Sequence, residues 1–401
     1  MLYFATNARL HFFLLLVLPI FAFAQPNKAF MPKLAEKENG KAYSFTYVFQ
    51  NTQFHEVKKW DFKPKRKTPK NIILMIGDGM GLAHIQAALT ANKGKLFLLE
   101  NASHIGLSKT NCANAYVTDS GAGATAFSTG YKAPYTGIGV DWQGNPQPTI
   151  LEIAQQNGLA TGMVVTSSVT HATPASFVAH QPSRKLEYAI AADFLQNPID
   201  VVIGGGKQYF NDRPDGQNLL KDLEKKGYKI LDSLGQLTQI RKEKFYCLTA
   251  PDETPKLCEG RGNMLRTATV KALERLNQNP KGFFLMVEGS QIDWGGHNND
   301  LEYLTTEALD FDQTIGAVME FAAKDGETLV IVTADHETGG LTIVDGSYER
   351  ANIQAAFSTG HHTAIAVPVY AFGVGAANFA GFYENTAIFQ KMLELFGFTK
   401  K

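Results

Sequence analysis

The apolar residues of this chain fall into short unbroken runs separated by stretches of helical period. Ile72 to Ile76, Met163 to Val165, Val201 to Ile203, Phe283 to Val287, Leu329 to Thr333 and Val367 to Phe372 lack the polar alternation of a half-exposed strand. Each is therefore predicted to be a strand covered on both faces, as in parallel sheets. Leu82 to Ala91, the segment from a Thr149 cap to Gly158, and Leu301 to Ala323 carry the helical pattern. Strands and helices alternate, which predicts an α/β chain built like a doubly wound sheet.

The polar residues that end these runs carry the candidate chemistry. Ile76 leads into Gly77-Asp78-Gly79-Met80-Gly81, Val287 into Glu288, and Val332-Thr333-Ala334 into Asp335-His336. Open α/β sheets bind ligands just outside the carboxyl ends of their strands, so these are candidate metal ligands. Asp293 and His297 stand four apart and would share one face of a helical turn; His362 precedes the last strand. Aspartates with histidines suit zinc, whereas a glutamate with a hydroxyl oxygen suits a harder ion, so the set divides into more than one metal site. Ser120 is expected at the positive end of a helix opened by Gly121-Ala122-Gly123-Ala124.

Composition narrows the picture. With 401 residues, 44% of them hydrophobic, the chain can bury one large α/β core or two ordinary ones. Lys plus Arg equals Asp plus Glu at 38 each, so nothing in the charge points to a nucleic-acid partner or an acidic membrane surface. Arg9, the apolar Phe12 to Phe23 and Ala22-Phe23-Ala24 read as a secretory signal over 1–24, cleaved before Gln25, which predicts a periplasmic or secreted protein. No later stretch is long and uncharged enough for a membrane span. Residues 25–70, rich in lysine and broken by Pro64 and Pro69, are expected to form an exposed lead-in arm; 207–262 read as an excursion from the sheet within the domain 71–401. Export permits disulfides, and Cys247 and Cys258 flank a loop holding Pro251 and Pro255, so these two are expected to pair, leaving Cys112 as a buried spare.

Taken in order, Asp78-Gly79-Met80-Gly81, Thr118-Asp119-Ser120, His171-Ala172-Thr173-Pro174, Ser183-Arg184, Glu288-Gly289 with Asp293 and His297, Thr333-Ala334-Asp335-His336 and His362-Thr363 resemble the alkaline phosphatases. The resemblance runs from about residue 71 to the C-terminus. It implies a three-layer α/β/α sandwich around a large, mostly parallel sheet, with two zinc ions and one magnesium. By motif match, Asp293, His297 and His362 would hold the first zinc, Asp78, Asp335 and His336 the second, and Asp78, Thr173 and Glu288 the magnesium. Ser120 would be the nucleophile, passing through a phosphoserine, and Arg184, oriented by Asp119, would clamp the phosphate of a monoester substrate. The family is usually homodimeric. His171 stands where the enteric bacterial enzymes have an aspartate, and Trp294 where they have a lysine, which leaves cobalt or zinc as alternatives for the third ion.

Other readings share part of this pattern. Sulfatases need a Cys/Ser-x-Pro-x-Arg segment that is absent around Ser120. Phosphodiesterases and other phospho-transfer members share the sheet, but Arg184 with Glu288 favours the doubly charged monoester. A non-enzymatic zinc- or phosphate-binding protein of the periplasm would not need Ser120.

Overall fold

The computed structural model describes residues 46–398; the signal expected at 1–24 and the arm as far as residue 45 lie outside them. The strands are β1 (Tyr47–Gln50), β2 (Asn71–Gly77), β3 (His104–Ser108), β4 (Ala160–Ser168), β5 (Val201–Gly205), β6 (Lys229–Leu231), β7 (Phe245–Leu248), β8 (Phe283–Gly289), β9 (Thr328–Thr333), β10 (Glu337–Thr338), β11 (Leu341–Ser347), β12 (Asn352–Phe357), β13 (His362–Thr363), β14 (Val367–Gly373) and β15 (Gly381–Tyr383). A ten-stranded sheet runs β15-β3-β14-β9-β2-β8-β4-β5-β7-β6. From β9 to β6 every pairing is parallel, while β14 lies antiparallel to both β9 and β3.

The unbroken apolar runs explain why the sheet is covered twice. In β2 every side chain is buried, and successive residues turn to opposite faces. Ile73 and Met75 join a core with the helices Leu82–Ala91, Met264–Leu276 and Leu301–Asp325; Ile72, Leu74 and Ile76 join a second core with Ser120–Thr129, Ile150–Gln156, Glu187–Gln196 and Thr386–Phe396. The result is a three-layer α/β/α sandwich. Each wholly buried aliphatic side chain contributes roughly 1.5–3 kcal/mol, so the strand ends are held on a stiff platform. Local signals set the helix starts: Thr149 forms a capping box with Glu152, and Asp300 accepts from Tyr303 N at 3.0 Å to open the long helix Leu301–Asp325.

Three expectations are corrected. Residues 207–262 do not leave the sheet, because β7 pairs in parallel with β5 and β6 with β7, extending it at one edge. The described part of the lead-in, 46–70, is not a free arm: β1 pairs with β12 and so completes the small sheet β1-β12-β11, and Trp60 and Phe62 pack against the core. Cys247 and Cys258 are unpaired, as is Cys112. Cys247 is wholly buried in β7, with burial pushing its thiol up to about 12, whereas Cys258 is exposed in the short turn Leu257–Glu259. Among the described residues no helix is long and apolar enough to cross a membrane.

Candidate active site and metal centre

The carboxyl ends of β2, β8 and β9 deliver Asp78, Glu288 and Asp335-His336 to one place, all four wholly buried. Asp78 leaves β2 in a turn that only glycine can follow: Gly79 has φ +70°, and a Cβ there would stand 2.6 Å from Thr338 Oγ1 and 2.9 Å from Asp293 Cα. The helix Gln291–His297 then presents Asp293 and His297 on one face, and β13 supplies His362.

Three groups of donor atoms converge. Asp293, His297 and His362 form the first: His297 Nε2 lies 3.3 Å from Asp293 Oδ2, and His362 Nε2 lies 3.5 Å from Asp293 Oδ1 and 3.0 Å from His297 Nε2. The adjacent His361 does not join them. Asp78, Asp335 and His336 form the second, with His336 Nε2 3.2 Å from Asp335 Oδ2 and 3.5 Å from Asp78 Oδ1. Asp78, Glu288 and His171 form the third, so His171 sits inside this group rather than behind it. Thr173, in the turn of helix Ala172–Ala175, is wholly buried with its hydroxyl unpartnered.

Outer contacts fix which nitrogen each histidine presents. His297 Nδ1 meets Gly360 O at 2.8 Å, His362 Nδ1 meets Thr118 O at 2.8 Å, and His336 Nδ1 meets Thr338 Oγ1 at 3.2 Å. The two backbone carbonyls require a proton on Nδ1 of His297 and of His362, so Nε2 of each ring is the nitrogen turned toward Asp293 and available to an ion once deprotonated. Thr338 also donates to Asp293 Oδ1. The sequence reading missed Thr338; its signal was a hydroxyl two residues beyond His336.

Ser120 begins the helix Ser120–Thr129, with its Oγ 3.2 Å from His336 Nε2. Asp119 caps that helix, accepting from Gly121 N at 3.1 Å and Ala122 N at 3.3 Å, and takes a third amide from Thr136 at 2.8 Å. Arg184 Nη1 reaches Asp119 Oδ2 at 3.1 Å and Ser120 Oγ at 3.4 Å, and its Nη2 meets His171 Nε2 at 2.9 Å. The ring of Trp294 stands edge-on to His171 at 5.9 Å.

The electrostatics call for cations. Burial pushes Glu288 up to about 8 and Asp335 up to about 7, with Asp293 adding to the latter; burial, Asp335 and Asp293 hold Asp78 well above the usual carboxylate range. Burial would raise Asp293 too, but the hydrogen bond from His297 and the neighbouring His336 and His362 hold it below its ordinary value, and that same hydrogen bond lifts His297 to about 8. Burial keeps His336 and His362 neutral, and burial with Arg184 pushes His171 down to about 3. Both Asp78 oxygens, both Glu288 oxygens, Asp335 Oδ2 and Thr173 Oγ1 are buried without a hydrogen-bond partner. Such atoms are costly unless an ion takes them up, and carboxylate, imidazole and hydroxyl donors are what zinc and magnesium accept. The residues fit metal ions.

A parallel α/β sheet with clustered carboxylate–imidazole metal groups beside a capped serine and a guanidinium defines a metal-dependent hydrolase of the phosphoryl-transfer type. The family model for alkaline phosphatase matches residues 69–352, and the chain belongs to the alkaline phosphatase family. Alkaline phosphatase 4 of Bacillus subtilis is 40% identical over a stretch covering 74% of this chain and 68% of its own length. For the alkaline phosphatase of Escherichia coli the figures are 33%, 82% and 87%. The alkaline phosphatase structure from the Antarctic bacterium TAB5 superposes with a TM-score of 0.80 at 43% identity, covering 83% of this chain and 100% of that one. Variants of that enzyme with one histidine replaced by glutamate or aspartate have magnesium bound in the M3 site. This chain is accordingly an enzyme that hydrolyses phosphate monoesters with metal cofactors.

Proposed function

We propose that hydrolysis proceeds through a phosphoserine at Ser120, on a site holding two zinc ions and one magnesium. Asp293, His297 and His362 would bind the first zinc, Asp78, Asp335 and His336 the second, and Asp78, Thr173 and Glu288 the third ion. Bound there, the ions would supply Lewis acidity that makes the serine alkoxide accessible near neutral pH and neutralises charge on the leaving oxygen.

The remaining work belongs to side chains. The Ser120 hydroxyl, at the positive end of its helix, attacks phosphorus; the ester bond breaks and the alcohol departs. Water then cleaves the phosphoserine, returning the hydroxyl and releasing inorganic phosphate. Arg184 orients the phosphoryl oxygens in both steps, and Asp119, saturated by three amides, holds the guanidinium. The observation that carries this reading is the position of Ser120 Oγ, within 3.4 Å of both Arg184 Nη1 and His336 Nε2. The test is acid quenching during turnover of a labelled monoester. Label on Ser120 is expected and should vanish in Ser120→Ala; label that persists at another residue would sink the assignment.

His171 bears on the third ion. A neutral imidazole beside Asp78 and Glu288 adds neither charge nor a hard oxygen, so magnesium binds more weakly than it would beside a carboxylate, and cobalt or zinc competes. The magnesium-bearing variants of the TAB5 relative, which gained a carboxylate for a histidine, support this reading. We further read the chain as a homodimer exported to the periplasm or medium; sedimentation and mass analysis of the exported N-terminus, expected at Gln25, test the two points.

A further inference from the structure

Between the first two groups of donor atoms lies one wholly buried hydroxyl, Thr338 Oγ1, which touches a member of each. A threonine hydroxyl has one proton and two lone pairs, and an ionised carboxylate can only accept. The proton therefore goes to Asp293 Oδ1, and the oxygen is left to receive Nδ1–H of His336. This chain, His336 Nδ1–H to Thr338 Oγ1 and on to Asp293, sets the ring of one group and the carboxylate of the other with a single atom. The hydroxyl cannot easily swing away. Thr338 N donates to Gly79 O at 3.1 Å, Thr338 is paired with His362 in the β10–β13 ladder, and Gly79 and Gly296 approach its side chain so closely that a Cβ on either would meet it at 2.6 Å and 3.0 Å.

We propose that Thr338 is a positioning residue that couples the two zinc sites, so that loss of its hydroxyl weakens both ions together. The proposal rests on the two-zinc reading above. Replacing the partners that orient a metal ligand typically costs about 10–100-fold in metal affinity. A hydroxyl serving one site would move one affinity; this one should move two.

The experiment is a competition titration of the chelator-stripped full-length protein with zinc against a chromophoric chelator, for the parent, Thr338→Val and Thr338→Ser. The parent should bind at least two zinc ions, the third group being free to take a further one, Thr338→Val should lose about 10–100-fold at two of these sites, and Thr338→Ser, which keeps the hydroxyl, should stay close to the parent. A parent that takes up fewer than two zinc ions overturns the metal reading itself. Uptake of two or more with Thr338→Val unchanged, or weakened at one site only, overturns the coupling. A second measurement needs no variant: nitrogen shifts of labelled histidine in the parent should show His336 protonated at Nδ1, and protonation at Nε2 would refute the hydrogen-bond chain.

Discussion

Removing the metals from this enzyme should make its stability fall steeply with rising pH in a window where the loaded enzyme is indifferent. Without ions, Asp335 at about 7 and Glu288 at about 8 keep protons that the same residues in an unfolded chain, near 3.8 and 4.5, have already lost. From about pH 4 upward the folded state thus binds more protons than the unfolded one, and stability falls as pH rises until both groups have ionised, the last stretch of that fall lying between about pH 6.5 and 9. His297, lifted to about 8, acts in the same direction, since its folded form also gives up a proton late. His336 and His362, held low, act below their ordinary value of 6.5 and leave this window clear. At about 1.4 kcal/mol per pH unit, ionising Asp335 or Glu288 alone costs on the order of 4 kcal/mol over the whole span from its unfolded value upward, of which about 1–2 kcal/mol falls above pH 6.5. Each carboxylate raises its neighbours, so the total stays below the sum, yet it is a large share of the roughly 5–15 kcal/mol that a folded protein has in hand. The assay is a thermal melt of the stripped protein from pH 6.5 to 9, beside protein reloaded with zinc and magnesium, with a weakly buffered indicator to count protons released on reloading. The stripped melt should drop several degrees or more across the window, the reloaded melt should hold, and reloading at pH 7.5 should release at least one proton. Equal melts across the window, or zinc uptake without proton release, would refute the argument.

Two further outcomes follow from the same geometry. Arg184→Ala should raise both KM and the inhibition constant of inorganic phosphate by about tenfold or more, with a smaller fall in kcat, because the guanidinium meets phosphate in ground and transition states alike; steady-state kinetics with phosphate as inhibitor decide it. His171→Asp with Trp294→Lys should favour magnesium over cobalt at the third site, tighten phosphate and lower the optimum pH, as read by metal titration of the stripped protein and by phosphate inhibition; an unchanged preference and inhibition constant would show that neither residue tunes the site.

The sequence disclosed what depends on residue type and strand position. An apolar run ending in Asp78, Glu288 or Asp335 marks a buried strand with a donor at its carboxyl end, and the helix Leu82–Ala91 and all but the last two residues of Leu301–Asp325 were legible from their period. The strands β6 and β7 were not, because Lys229–Leu231 and Phe245–Leu248 are short and lie among charged residues, and only pairing with β5 makes them strands. Nor could spacing show that His171 enters the third group or that Thr338 lies between the first two, since both depend on how distant segments pack. The cysteine expectation failed for a related reason: closeness in sequence across a loop says nothing of a strand that turns one thiol into the core.

The pairing of β1 with β12 joins residues near 50 to residues near 355, and the donor atoms of the metal centre are drawn from Asp78 through to His362. In the time order of synthesis, the first strand must wait for almost the whole chain before it finds its partner, and no growing intermediate holds the complete ligand set. Contacts of such long sequence separation make folding slow. A chain made as far as residue 336 therefore already carries every donor of the second and third groups, and the first group, which needs His362, is the last to be completed. A chain cut short before residue 362 would keep most of the sheet's strands and lack a finished first group.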